Sequence, residues 1–350
     1  MTTKQVSKLS RRHFTALAGA AGALSLIGMR TAHAAGPVVV GTWGGDYQAA
    51  LQKYIATPLV DPKNYKVVFD GAAESPRKVK LMAERRLPRG SMDVAALTAS
   101  GSYDMYQNGA IDKLDYSRIP AAAKIPANLK TDYLVPQYYT TRVILFNPSK
   151  VTTAPTSYAD LWKPEYAGRV GVIDIQYLTT IESAAMAFGG SLSNYEPGKA
   201  KLLELKKQGV RIYPTNEAMA QALQTGECWI CIMWHARGVL WQNAGVPIEI
   251  AVPKEGSVVY LTGFSIPKNA RNKDGAYEFL NAQLDHSAQA GFAKDLGGSP
   301  VVDGVPLPPE LAKRVVYTPA QQARFMVQDN EYLAKNDAQL KDWWDKVFKG

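Results

Sequence analysis

Short apolar runs alternate with amphipathic segments along most of the chain. Residues 38–40 are three valines that predict a buried strand, and the glycines after them end it before an amphipathic helix at 47–55. Further strands are predicted at 66–69 and 93–97, each followed by a helical stretch. This alternation predicts an α/β fold, in which a mostly parallel sheet is covered by helices on both sides.

A long strand-like run at residues 135–147 interrupts the alternation. It has no helix of its own, so we expect it to cross from one lobe into a second. The second lobe begins with a strand near 170–172, and a later strand at 258–266 is expected to cross back. The other predicted elements are strands at 228–233 and 248–252 and helices at 76–86, 103–109, 179–188, 197–208, 217–224, 274–284, 287–296 and 319–348.

The first 34 residues have the pattern of an export signal. Basic residues precede an apolar run of 16 residues, 14–29, which is shorter than the ~18–20 residues that cross a bilayer. Adjacent arginines at positions 11 and 12 predict the twin-arginine route to the periplasm, with cleavage near Ala34. The remaining 316 residues exceed what one compact core usually holds, which predicts two lobes.

Charge and cysteine usage exclude some classes of function. Without the signal, 35 basic residues face 31 acidic ones, and a net charge of +4 spread along the chain is weak evidence for nucleic-acid binding. Cys228 and Cys231 lie in a predicted buried strand, where residues three apart point to opposite faces. We therefore predict two buried free thiols rather than a disulfide.

Few residues outside the signal could carry catalysis. His235 and His286 are the only histidines there, and the sequence contains no H-E-x-x-H, G-x-S-x-G or Walker A motif. We therefore predict no metal site, no cofactor and no enzymatic activity. A secreted enzyme that uses Asp174 or Glu182 as a base is a distant alternative.

Several sequence marks occur in a recognisable order along the chain. They are D-L-W at 160–162 with G-R-V at 168–170, A-L-Q-T-G-E at 222–227, A-G-V-P at 244–247, P-K-E-G-S at 253–257, I-P-K-N-A at 266–270, A-Y-E-F-L at 276–280 and A-Q-A at 288–290. In these marks the chain resembles the periplasmic solute-binding components of ABC importers, in particular the spermidine/putrescine-binding group of solute-binding family 1.

The resemblance implies a type II periplasmic binding protein, with two α/β lobes joined by crossing strands and a solute in the cleft between them. Hinge closure would deliver the solute to a permease and its ATPase. We expect a monomer with lobe 1 at 35–141 plus about 257–318 and lobe 2 at 142–256. The lobe that holds a C-terminal helix at 319–350 is left open.

The same resemblance implies a set of ligand-binding residues from both lobes. They are Trp43, Asp46, Tyr47, Glu74, Ser75, Ser100, Tyr103, Asp174, Glu182, Trp234, Arg237, Tyr260 and Thr262. The first three also follow a strand end, where α/β proteins place ligands, and Asp46 is predicted to cap the following helix. Aromatic rings would enclose an alkyl or cationic body, and carboxylates would bind ammonium ends.

One position departs from the polyamine-binding pattern. Such proteins carry an aromatic-x-Asp sequence where this chain has Tyr260 and Thr262, so a dicationic ligand loses a partner worth ~1.5–3 kcal/mol. A polyamine-like amine remains the ligand that the resemblance implies, with Asp46, Glu74 and Asp174 as possible replacements. The alternative is a thiamine-like, organic-acid or phosphonate ligand. Its anionic group would bind Arg142 or Arg237, for which a structural role is also open.

Overall fold

The computed structural model describes residues 36–350 of the chain. Its strands are β1 (Val38–Thr42), β2 (Val67–Gly71), β3 (Val94–Thr98), β4 (Val135–Phe146), β5 (Val170–Ile173), β6 (Arg211–Tyr213), β7 (Ile230–Trp234), β8 (Glu249–Ala251), β9 (Ser257–Ser265), β10 (Ser299–Pro300) and β11 (Phe325–Met326). Its α-helices are α1 (Gly45–Leu51), α2 (Glu74–Glu84), α3 (Ala99–Gln107), α4 (Tyr177–Ala187), α5 (Glu196–Lys207), α6 (Asn216–Thr225), α7 (His235–Asn243), α8 (Lys273–Ala282), α9 (His286–Leu296), α10 (Pro309–Val315), α11 (Pro319–Gln322) and α12 (Asn330–Trp343). No helix in this part of the chain is long and apolar enough to cross a membrane.

The strands follow the order β2-β1-β3-β9-β4-β7-β5-β6, which confirms the α/β architecture. The three strands at each end of this order pair in parallel. The two central strands, β9 and β4, run antiparallel to their neighbours. The first half of β4 pairs with β9 and its second half pairs with β7 and β8, so this 12-residue strand passes through the middle of the sheet.

Two regions of the sheet have separate cores. The first region, built on β1, β2, β3, α8 and α9, buries a cluster that includes Leu51, Phe264 and Phe292. The second region, built on β5, β6, β7, α4 and α5, buries clusters that include Ile144 and Met233. Side chains of α12 and the turn after it, among them Leu333, Leu340, Trp344 and Phe348, pack into the second core.

A close approach of β9 to β4 sets the register at the centre of the sheet. A Cβ atom on Gly263 would lie 2.2 Å from the carbonyl oxygen of Val135, so only glycine fits there. The register shifts between Pro136 and Tyr138, which places Tyr138 opposite Thr262. These two residues lie at the candidate site.

Three local predictions are wrong. The helix predicted at 103–109 begins earlier, at Ala99, because the hydroxyl of Thr98 accepts a hydrogen bond from the Gly101 amide and caps α3. Helix α2 begins at Glu74, not at Pro76. The helix predicted at 319–348 is interrupted by β11, which pairs in parallel with β9.

Both cysteines are buried free thiols, as predicted. The argument from opposite faces of one strand is wrong, however. Cys228 precedes β7 and lies in the same core cluster as Cys231. Burial raises the pKa of the Cys228 thiol to about 12, so the thiol stays protonated at neutral pH.

Candidate functional site

Adjacent strands bring aromatic and hydroxyl side chains into one row across the sheet. Thr98 of β3 and Tyr138 of β4 both pair with Thr262 of β9. Tyr260 precedes Thr262 by two residues and therefore shares its face of the sheet. The hydroxyl of Thr262 is buried and has no hydrogen-bond partner among the described residues. The row thus contains a buried polar group, and Tyr47 and Tyr138 lie close enough to interact with it.

The turn between β1 and α1 places two rings beside this row. The rings of Trp43 and Tyr47 meet edge to face at 5.1 Å between centroids, and Tyr47 lies 6.3 Å from Tyr138. The Tyr47 hydroxyl donates a hydrogen bond to Oε1 of Gln137, whose buried Nε2 has no partner within residues 36–350. Burial raises the pKa of Tyr47 well above its usual value, so its hydroxyl remains a donor.

Two predicted residues near these rings are turned to solvent. Asp46 is exposed in the first turn of α1, whose N-cap is Gly44, so the predicted capping by Asp46 is wrong. Gly45 has a φ of +64°, a backbone angle that glycine adopts without strain, and it starts the helix two residues earlier than expected. Ser75 is also exposed.

Helix α2 contributes one carboxylate to the row. Oε1 of Glu74 accepts hydrogen bonds from the amide of Thr98 (3.3 Å) and from its hydroxyl (2.8 Å), and Ser100 lies 3.2 Å from the same hydroxyl. Burial raises the pKa of Glu74, although Thr98 and two nearby cations, Lys78 and Arg77, oppose the shift. Glu74 is thus the predicted acid that the structure holds close to the row.

The same helix brings in an arginine that the sequence analysis did not identify. The guanidinium of Arg77 lies 5.0 Å from the ring of Trp43, and its Nε donates to the carbonyl oxygen of Ala96. Its Nη2 is buried without a partner in the described chain. The signal that could have found it is its position three residues after Glu74, on the same helix face.

Arg237 reaches the row from the other side, two residues into α7. Its side chain is half-buried and forms no hydrogen bond or ion pair with any residue from 36 to 350. Burial raises the pKa of Tyr138 and of Tyr260, and the positive charge of Arg237 partly offsets this rise. Glu74 acts on Tyr260 in the opposite sense. One tyrosine hydroxyl therefore lies within range of both a cation and a carboxylate.

A cavity of about 430 Å³ opens beside Tyr260 and Thr98. Its walls are largely apolar, and Tyr133 and Gln328 add polar groups. The ring of the predicted ligand residue Tyr103 lies 5.8 Å from that of Tyr133. This volume falls within the ~300–1,000 Å³ of small-molecule sites.

Trp234 closes the row at the second region. Its ring lies 4.4 Å from the ring of Tyr260, and the guanidinium of Arg142 lies 5.4 Å behind it. Because β4 pairs Arg142 with Trp234, the arginine is fixed in register with the aromatic wall.

Glu182, a predicted ligand-binding acid, is enclosed by the protein itself. Nη2 of Arg142 lies 2.6 Å from Oε2 of Glu182, and both side chains are 0% exposed. Tyr195 donates to Oε1, and Nε2 of Gln328 donates to both oxygens, at 3.2 and 3.1 Å. These four hydrogen bonds fill the acceptor sites of a carboxylate, so none is left for a ligand in this structure.

Asp174, another predicted acid, is bound to the C-terminal part of the chain. Its two oxygens accept hydrogen bonds from Trp344 Nε1 and Lys349 Nζ, both at 2.8 Å. Burial by itself would raise the pKa of Asp174, but these two donors outweigh burial, and the pKa is lowered. A base at Asp174 or Glu182, as the enzyme alternative requires, would have to give up these bonds. Within residues 36–350, no group of three or more His, Cys, Asp or Glu side chains could hold a metal ion.

Residues 101–336 match the model of a protein family described as bacterial extracellular solute-binding protein. The chain belongs to this family. It is 28% identical over 203 residues to the spermidine/putrescine-binding periplasmic protein of Escherichia coli, a match that covers 55% of this chain and spans 58% of that relative's length. It is 24% identical over 336 residues to a gamma-aminobutyric acid-binding protein of Pseudomonas aeruginosa, covering 91% of this chain and 94% of the relative.

Solved structures of solute-binding proteins share the fold. An ABC transporter structure from Clostridium perfringens superimposes with a TM-score of 0.75 at 27% identity, covering 89% of this chain and 99% of the other. The structure of the Atu4243-GABA receptor superimposes with a TM-score of 0.78 at 23% identity, over 90% and 98% of the two chains. These likenesses confirm the family predicted from the sequence marks.

Proposed function

We propose that this protein is the substrate-binding component of an ABC importer and that its solute is a small molecule with an anionic group, such as an ω-amino carboxylate. The observation that carries the proposal is the half-buried guanidinium of Arg237, which has no partner in the described chain and is near enough to Tyr138 and Tyr260 to act on the pKa of both. A planar guanidinium in this position would bind a carboxylate through two parallel hydrogen bonds.

The charge balance around the row supports an anion over a dication. Among the described residues, Glu74 is the one carboxylate held against it, whereas Arg77 and Arg237 contribute two positive charges. Thr262 offers a neutral hydroxyl where polyamine binders have an acid. An ω-amino carboxylate fits this balance, with its carboxylate on Arg237 and its ammonium group toward Glu74 along the ring of Tyr260.

The names of the relatives leave both ligand classes in play. The alignment to the P. aeruginosa gamma-aminobutyric acid-binding protein spans nearly the whole chain, and relatives named for spermidine and putrescine match over 55–67% of it. A polyamine is therefore the second candidate, favoured by Glu74 and by the aromatic row. Asp46 and Asp174, the other acids considered for it, lie in solvent and against the C-terminal segment, respectively.

We further propose that the two regions are lobes that close on the solute. Residues 35–141 with about 257–318 would form one lobe, and 142–256 with the C-terminal helix the other. Trp234 on the second region and Glu74 on the first would both contact a solute that lies against Tyr260. Such a solute would favour the closed form because it completes its contacts only there. The closed monomer would then dock on a permease in the periplasm, after export by the twin-arginine route.

Calorimetric titration of the protein without its first 34 residues tests the proposal. We expect γ-aminobutyrate to bind more tightly than putrescine. Replacing Arg237 with Ala should weaken that binding by ~10–150-fold, the equivalent of ~1.5–3 kcal/mol for a charge-assisted contact. Arg89→Ala is the matched control, since Arg89 is exposed and also lacks a side-chain partner among the described residues. Tight putrescine binding that survives Arg237→Ala would refute the anionic ligand.

A further inference from the structure

We propose that Arg142 sets the charge of the solute by acting as an internal cation. It pairs with Glu182, the buried carboxylate of the second region, so this carboxylate cannot bind an ammonium group of the ligand. This inference rests on the proposed function and adds to it the residue that excludes a second ammonium group. Arg142 would be a positioning and specificity residue, since its side chain is fully buried behind Trp234.

The first support is the hydrogen-bond saturation of Glu182. Three donor atoms, one each from Arg142, Tyr195 and Gln328, make four hydrogen bonds to its two oxygens. An incoming ammonium group could bind only by displacing one of them. Arg142 is attached to the central strand β4, so its displacement would leave a guanidinium buried without a counter-ion, which is strongly unfavourable.

The second support is the way Arg142 is held. Its Nε and Nη1 are buried and have no partner in the described residues, so the guanidinium is held by one carboxylate and by the ring of Trp234. A guanidinium with so few partners can be replaced by a free cation of similar size without the loss of other hydrogen bonds. Removal of Arg142 should therefore leave a cation-shaped space beside Glu182 and directly behind the aromatic wall.

The test is the variant Arg142→Met, which keeps the aliphatic part of the side chain and leaves the space of the guanidinium empty. Glu182 is then buried without a counter-ion, so we expect a lower melting temperature that putrescine or methylguanidinium raises at millimolar concentration. Putrescine should bind Arg142→Met at least tenfold more tightly than it binds the wild type. Sodium chloride of equal ionic strength controls for screening.

Two matched variants identify the partner of the added cation. Arg142→Lys retains a charge beside Glu182 and should gain no response to putrescine. The double variant Arg142→Met with Glu182→Gln has no carboxylate charge to satisfy and should also gain none. If the double variant responds as strongly as Arg142→Met, the amine binds elsewhere and the proposal is overturned.

Arg142→Met could fail to fold by itself, and refolding then replaces the melting curve as the readout. We expect 10 mM putrescine to restore the yield of soluble Arg142→Met from denaturant, and 10 mM sodium chloride not to do so. If neither amine restores the yield or raises the melting temperature, Arg142 is not an internal cation. This result is independent of the γ-aminobutyrate titration of the wild type, so either proposal can fail without the other.

Discussion

Arg142 and Arg237 belong to the same site and differ in what holds them. Arg142 is fully buried, 2.6 Å from a carboxylate that is itself saturated with hydrogen bonds. Arg237 is half-buried and has no side-chain partner among residues 36–350. Residue type alone assigned both to the same task of binding an anion. Their hydrogen bonds distinguish them: Arg142 is an internal counter-ion, and Arg237 is available to a solute.

The same contrast extends to the neighbours of each arginine. Around Arg142, Tyr195 and Gln328 complete the bonding of Glu182. Around Arg237 the row keeps unused groups, including the Thr262 hydroxyl. Unsatisfied buried polar groups cost stability in the free protein, and a ligand that satisfies them recovers that cost on binding. The first cluster therefore serves the fold, and the second is prepared for a ligand.

The largest expected effect comes from breaking the saturated cluster at its carboxylate. Replacing Glu182 with Ala leaves the guanidinium of Arg142 buried and unpaired, which should lower the free energy of unfolding by ~3–5 kcal/mol. Urea denaturation followed by circular dichroism measures the change. A double variant with Met at both positions removes both charges and should recover most of the loss. A loss below about 1 kcal/mol in Glu182→Ala would mean that this cluster does not stabilise the fold.

The sequence predicts the elements of this fold better than it predicts the roles of its charges. The strand β4 was expected at 135–147 and spans Val135–Phe146, since a long run rich in β-branched and aromatic residues leaves few alternatives. The prediction of one continuous C-terminal helix was wrong because β11 is stabilised by pairing with β9. Such a long-range contact cannot be inferred from local periodicity. Glu182 was assigned to the ligand because its partner Arg142 is 40 residues away and on another element. Pairing across such distances requires three-dimensional structure.

An effect of intermediate size is expected when the pH is lowered, because His235 lies at the start of α7, two residues before Arg237. Burial and, to a smaller extent, the nearby Arg314 lower the pKa of His235 from 6.5 to about 4. The folded state therefore favours neutral His235, whose contribution to stability is complete above pH 6.5 and is lost between pH 6.5 and pH 4. The loss should approach ~1.4 kcal/mol per pH unit at most.

The variant His235→Gln isolates this contribution, because glutamine does not titrate. Urea denaturation at pH 7, 6, 5 and 4.5 should give a smaller loss of stability on acidification for the variant than for the wild type. His286→Gln is the control, since His286 is a half-buried histidine at the start of α9 in the first region. If the free energy of unfolding falls equally with pH in His235→Gln and in the wild type, His235 does not take up a proton on unfolding. Its side of the site would then accept a positive charge without loss of stability.

The smallest effect distinguishes a ligand-binding carboxylate from a structural one. Burial raises the pKa of Glu74, so the folded protein favours the protonated form and its ionised form costs stability above that pKa. Glu74→Gln keeps an oxygen acceptor for Thr98 and should slightly raise the melting temperature at pH 7, with less gain at pH 4. It should also weaken γ-aminobutyrate binding and leave the binding of butyrate, which has no amine, nearly unchanged. A lower melting temperature at pH 7 would place Glu74 with Glu182, among the carboxylates that serve the fold.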